Sequence, residues 1–223
     1  MTSPQSAPLP QTRSQPASLA IKNLRCSFGS AEVVCGINLD LTPGEHVAVI
    51  GGNGSGKTTV LRAVMGLHPE WTGAISINGS PLSPRPAAAH PSMAWMPQRQ
   101  PRGQFPYTVD ELLASSRNTR SARDWAGMLG IAKLGARPLS ALSGGQLQRA
   151  FLARALGALD AGAGLLLADE PTAALDFQGQ EQIAQLLSQL PATILVVTHD
   201  PVLARTCHRV LHMAQGSMRE AAW

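Results

Sequence analysis

The stretch Gly51-Gly52-Asn53-Gly54-Ser55-Gly56-Lys57-Thr58 matches the pattern G-x-x-x-x-G-K-[ST] at every required position. Its chemistry is that of holding phosphate. Glycines let successive backbone N–H groups converge on phosphate oxygens, and a helix starting at the lysine adds the partial positive charge of its N-terminus. Lys57 is then placed to reach the β- and γ-phosphates of a nucleoside triphosphate, and the Thr58 hydroxyl to ligate Mg²⁺. The context fits. HVAVI, residues 46–50, reads as a short buried strand before the loop, and residues 57–65 read as helix after it.

Two strand ends supply what such a loop needs. GLLLA, residues 164–168, runs into Asp169-Glu170, and ATILVVT, residues 192–198, runs into His199-Asp200. Ligands of open α/β sheets gather outside the carboxyl ends of the strands, so the acidic pair and the histidine are expected in the crevice that receives the loop. Asp169 suits Mg²⁺, directly or through water, and Glu170 suits the polarisation of an attacking water. A further stretch, Ser143-Gly144-Gly145-Gln146, reads as a capping box that opens an Ala-, Leu- and Arg-rich helix. Two glycines inside a helix cost about 1 kcal/mol each. A cap alone does not need them, and close backbone approach to an anion would.

The elements that must position these residues alternate. LAIKNLRC and residues 33–41 read as an antiparallel pair, GAISING as strand and turn, and residues 92–96 as another short strand. Thr108 is an expected N-cap with acidic residues in the first turn, RDWAGMLG reads as a second short helix, and a polar helix is expected around 178–190. A last helix and the strand RVLHM complete the pattern. This alternation argues an α/β fold: a mostly parallel sheet wrapped by helices, with a helical insert at 98–150.

Bulk composition excludes several classes. With 223 residues, 44% hydrophobic and 14% charged, the chain can bury a core and reads as one domain. The net charge of +4 comes mostly from arginine and no basic run stands out, so no nucleic-acid partner is expected. Cys26, Cys35 and Cys207 carry no CxxC spacing and fit a reducing compartment. No apolar run approaches the ~20 residues of a membrane span. Residues 1–18 are rich in Pro, Ser, Gln and Thr and read as a disordered leader ahead of a domain over 19–221.

Taken together, these motifs resemble the ATP-binding cassette (ABC) ATPases, from about Leu19 to Arg219. The order Walker A (51–58), glutamine loop (Gln98), LSGGQ signature (142–146), Walker B (165–169) with Glu170, ALD loop (174–176) and switch histidine (His199) is that of the family. The resemblance implies a P-loop NTPase with a RecA-like core, an N-terminal antiparallel β-subdomain and a helical subdomain. It implies ATP and Mg²⁺ as cofactors, with Phe28 stacking on adenine and residues 51–58 and Thr59 on the phosphates. Thr58, Gln98 and Asp169 would serve the metal, and Glu170, His199 and Gln98 hydrolysis. It also implies a head-to-tail homodimer in which Ser143, Gly144, Gly145 and Gln146 cap the partner's ATP and Asp176 touches the opposite cassette.

A chain with one cassette and no span is similar to the energy-coupling subunit of a transporter. Its expected partners are a multi-span permease and an extracytoplasmic solute-binding protein, and its expected place is the cytoplasmic face of the membrane. Phe105-Pro106-Tyr107-Thr108-Val109, shortly after Gln98, is similar to the ATPases of zinc, manganese and chelated-iron uptake. The alternative is a soluble ABC ATPase, such as an iron–sulfur assembly factor, or a transporter of another cargo.

Overall fold

The computed structural model of the protein describes residues 15–84, 90–98 and 107–221. The chain runs through β1 (Leu19–Phe28), β2 (Ala31–Leu41), β3 (His46–Ile50), α1 (Lys57–Val64), β4 (Trp71–Ile77), β5 (Ser80–Pro81) and β6 (Met93–Met96). It continues through α2 (Val109–Ala114), α3 (Thr119–Met128), α4 (Gly144–Asp160), β7 (Leu165–Asp169), α5 (Phe177–Ser188), β8 (Thr193–Val197), α6 (Pro201–Arg205), β9 (Arg209–Ala214) and β10 (Ser217–Glu220). A four-stranded antiparallel sheet has the order β2-β1-β4-β5, and a six-stranded sheet the order β10-β9-β3-β8-β7-β6. The larger sheet is parallel except at β9–β10.

The central strands are buried on both faces, which is why they read as unbroken apolar runs. Side chains alternate between two cores. Val47, Val49, Leu165, Leu167, Leu195 and Val197 face α1 and the antiparallel sheet. Ala48, Leu166, Ala168, Ile194 and Val196 face the helices α4 and α5. On that side α2 and α3 pack on α4, so close that a Cβ added at Gly157 would lie 2.7 Å from the Ala122 Cβ. Trp125, fully buried in α3, donates its indole N–H to Asp160 Oδ2 at 2.7 Å. Thr108 caps α2 as expected: its hydroxyl accepts from the Glu111 N–H, while the Thr108 N–H donates back to Glu111 Oε2.

Two expectations need correction. The leader does not extend to residue 18. Ala17 is buried, its N–H donates to the Gly164 carbonyl at 3.0 Å, and Ser18 donates to Asn78 Oδ1. The Pro/Ser-rich composition that masks this stretch is irrelevant to two backbone groups that find partners distant in sequence. The remainder of the leader, residues 1–14, lies outside the described residues, as do Phe105 and Pro106 of the Phe105–Val109 stretch. The second correction is β10. RVLHM is followed by a hairpin because Gln215 and Gly216 both take positive φ (47° and 75°), the pair of left-handed residues that a tight two-residue turn needs. Among the described residues no helix is long and apolar enough to cross a membrane.

Candidate functional site

The loop after β3 is built around its glycines. Gly51 has φ 149°, and a Cβ there would overlap the carbonyl oxygen of Met213 on β9. Gly56 has φ 105°, and a Cβ there would come within 2.8 Å of both Met213 and the Val33 carbonyl of β2. Gly52 is different, since among the described residues nothing lies within 4 Å of the space its Cβ would take. The loop is thus pressed between the two sheets. Gly56 caps α1 without a side-chain bond and no acidic residue stands in the first turn, so the helix N-terminus presents its N–H groups and positive dipole end to the cleft. Lys57 Nζ donates to the carbonyls of Gly51 and Gly52 at 2.8 and 2.9 Å, stapling its own loop with two of an ammonium's ~3 donors.

A cleft of about 710 Å³ opens over this loop, lined also by Phe28, Gln98, Asp169 and Glu170. Strand ends deliver the two carboxylates. Asp169, the last residue of β7, is 1% exposed, and neither carboxylate oxygen has a well-formed hydrogen bond among the described residues. Burial raises its pKa above the ordinary carboxylate value and the neighbouring Glu170 adds to this, while the Thr58 hydroxyl, close by but outside good hydrogen-bond geometry, and the charges of Lys57 and Arg62 pull the other way. A buried carboxylate beside a hydroxyl and a phosphate loop is a donor set of hard oxygens. It fits Mg²⁺, which takes one or two carboxylates together with phosphate oxygens.

Glu170 follows in a left-handed conformation, φ 53°, which costs a residue with a Cβ about 1–2 kcal/mol. Its Oε2 accepts from the His199 backbone N–H at 3.3 Å and lies 2.8 Å from His199 Nδ1. A carboxylate only accepts, so this contact puts the imidazole proton on Nδ1. The Glu170 side chain is 7% exposed and that of His199 71%, so the pair bridges from core to surface. The arrangement can hold a polyphosphate against the loop and present a carboxylate to water beside it.

Phe28, at the end of β1, is 53% exposed and meets the His68 ring edge-on at 4.7 Å between centroids. That exposure argues against a core role. His68, buried beneath it, is a contact the sequence did not signal, because it comes from the segment after α1. Gln98, past the end of β6, is exposed and reaches the same cleft.

The residues of the second cradle do not join them. Ser143, Gly144, Gly145 and Gln146 are absent from the cleft's described lining, as is Asp176. Ser143 caps α4 through the expected box: its Oγ accepts from the Gln146 N–H at 3.3 Å and its N–H donates to Gln146 Oε1 at 3.1 Å. The two glycines have a reason within the chain. A Cβ at Gly144 would lie 3.3 Å from Ala174, and one at Gly145 3.2 Å from the Ala174 carbonyl, so the loop before α5 packs tightly on the start of α4. Asp176 ends that loop as the N-cap of α5, its Oδ1 accepting from the Gly179 N–H at 2.9 Å.

Comparison with known proteins adds an independent line. A family model described as ABC transporter matches residues 34–173. The hemin import ATP-binding protein of Rhodopseudomonas palustris is 33% identical over 83% of this chain and 75% of that protein. The zinc import ATP-binding protein of Cereibacter sphaeroides is 35% identical over 82% of this chain and 72% of that protein. Among solved structures, the dimeric bacterial ABC transporter cassette MJ0796 superposes with a TM-score of 0.77 at 25% identity, over 92% of this chain and 99% of that one.

Proposed function

The chain belongs to the ABC transporter family, and from that premise we propose that it is the ATP-hydrolysing, energy-coupling subunit of an importer of metal ions or metal chelates. The observation that carries the ATPase reading is the cleft lined by loop residues 53–58, the buried Asp169 carboxylate and Glu170, whose Oε2 is held by His199. In this reading the N–H groups of the loop and Lys57 hold the β- and γ-phosphates, with Thr59 beside them on α1, and Phe28 stacks on adenine. Thr58 and Asp169, assisted by Gln98, hold Mg²⁺, which supplies neutralisation of phosphate charge. Glu170 takes the proton of the attacking water. His199 steadies that carboxylate through two contacts and is itself largely exposed, open to a second molecule.

The chain has only half of each site. Ser143 to Gln146 cap a phosphate held by the partner of a head-to-tail homodimer, and Asp176 lies at that interface. Support comes from the separation of these residues from the chain's own cleft and from the dimeric cassette that the fold matches. The subunit sits on the cytoplasmic face of the membrane, held there by a multi-span permease, with an extracytoplasmic solute-binding protein completing the system. The metal cargo is supported by the relatives' import of hemin and zinc.

Two experiments test this. A multi-span permease should co-purify with the protein from detergent-solubilised membranes. Deletion of the gene should impair growth in chelator-treated medium, with rescue by zinc, manganese or iron. Normal growth under all three limitations, with no redundant system, refutes the metal cargo. A soluble iron–sulfur assembly complex as the sole co-purifying partner refutes the transporter role.

A further inference from the structure

The conformation of Glu170 is held from two directions. Its N–H donates to the Val197 carbonyl on β8 at 2.8 Å, and its own carbonyl accepts from Gln148 Nε2 at 2.7 Å. The Ala173 N–H reaches the same carbonyl at 3.3 Å, so the glutamine is the shorter of the two contacts. Gln148 is 4% exposed, in the second turn of α4, with Leu147 and Phe151 buried around it. A buried amide is retained on an apolar helix face only when its polar atoms are used. Here one of them grips the backbone of the residue whose side chain faces His199.

Backbone dihedrals set the direction of the Cα–Cβ bond. At φ 53° the Glu170 carboxylate reaches the His199 N–H and Nδ1; relaxation to the negative φ that side chains prefer would swing Cβ, and the carboxylate with it, away from both. We propose that Gln148 is a positioning residue for hydrolysis: its amide clamps the Glu170 carbonyl and so fixes where the Glu170 carboxylate stands relative to the cleft. The proposal rests on the reading of Glu170 as the group that polarises water. It adds to that reading a side chain that touches neither nucleotide nor water.

The test is a double-mutant cycle on the full chain with ATP and Mg²⁺. Gln148→Met keeps the length and volume of the side chain and removes the donor. Misplacing a reacting group by about 1 Å costs up to about a hundredfold in rate, so kcat should fall by roughly tenfold to a hundredfold while ATP affinity stays within about twofold. In a Glu170→Gln background, Gln148→Met should lower the residual turnover no further, because the group it positions is already disabled. Gln148→Asn, whose shorter amide falls short of the carbonyl, should reproduce the kcat loss and serves if the Met variant does not fold. Wild-type kcat in a folded Gln148 variant overturns the clamp while leaving the reading of Glu170 intact. Losses that multiply in the Glu170→Gln background also overturn it, since Gln148 would then act elsewhere. Near-normal turnover by Glu170→Gln alone overturns both.

Discussion

Replacing Phe28 by alanine separates two roles that the sequence leaves open, adenine contact and core packing. The ring is 53% exposed and is backed by the edge of His68. A stacked aromatic contact is worth about 0.5–1.5 kcal/mol beyond area burial, and 1.4 kcal/mol is about a tenfold change in Kd. ATP affinity should therefore fall roughly two- to thirteen-fold in a calorimetric titration with Mg²⁺ present. The stability cost should be small. Truncating a fully buried Phe costs about 3–5 kcal/mol, but here only the contact with His68 and part of the ring area are lost. At about 2–4 °C per kcal/mol for a chain of this size, Tm should drop by only a few degrees. Phe28→Tyr keeps the flat face and should keep the affinity. Unchanged ATP affinity together with a Tm drop of about 10 °C or more would refute the argument and make Phe28 a core residue.

Glu170→Gln should bind ATP and lose about 10²–10⁴-fold in turnover, because an amide cannot accept the water's proton; it should also persist as an ATP-bound dimer on size exclusion, and near-normal hydrolysis removes Glu170 from the role of base. Lys57→Ala and Ser143→Arg each spoil both sites of a homodimer, but a mixed dimer gathers the two lesions in one site, so mixing should restore nucleotide trapping; confirmed heterodimers that trap no more than either parent disprove the cross-subunit cap. The buried ring of His46 has its pKa lowered below 6.5, first by burial and then by the neighbouring His208, so the folded state binds its proton less readily than the unfolded chain. Stability is then fully present above pH 6.5 and is lost as pH falls below it. Melting should follow that slope, and His46→Gln should flatten it; an unchanged slope assigns the acid sensitivity to other groups.

What was legible in the sequence is what contiguous residues do. The loop 51–58, the N-cap Thr108, the capping box at Ser143 and the apolar strands read at 46–50, 164–168 and 192–198 rest on short-range geometry, and each is found within a residue of where its pattern stands. Strand ends also foretold one crevice, since a parallel sheet brings the carboxyl ends of Ile50, Asp169 and Val197 to the same side. The signature glycines were legible as an anomaly, but the reason found within the chain was hidden: Ala174 presses on them from a loop after β7.

Tertiary structure decided the rest, because it depends on groups that meet only after the chain has crossed itself. Gly51 must be glycine because of the Met213 carbonyl, a wall supplied by β9. Ala17 is ordered because β7 begins where the Gly164 carbonyl can accept its N–H. His68 under Phe28 and Gln148 on Glu170 have no periodicity and no motif to announce them. Local patterns encode which residues can do chemistry. Their aim, and the backbone strain held at Glu170, come from hydrogen bonds and contacts between distant segments, which no window of sequence contains.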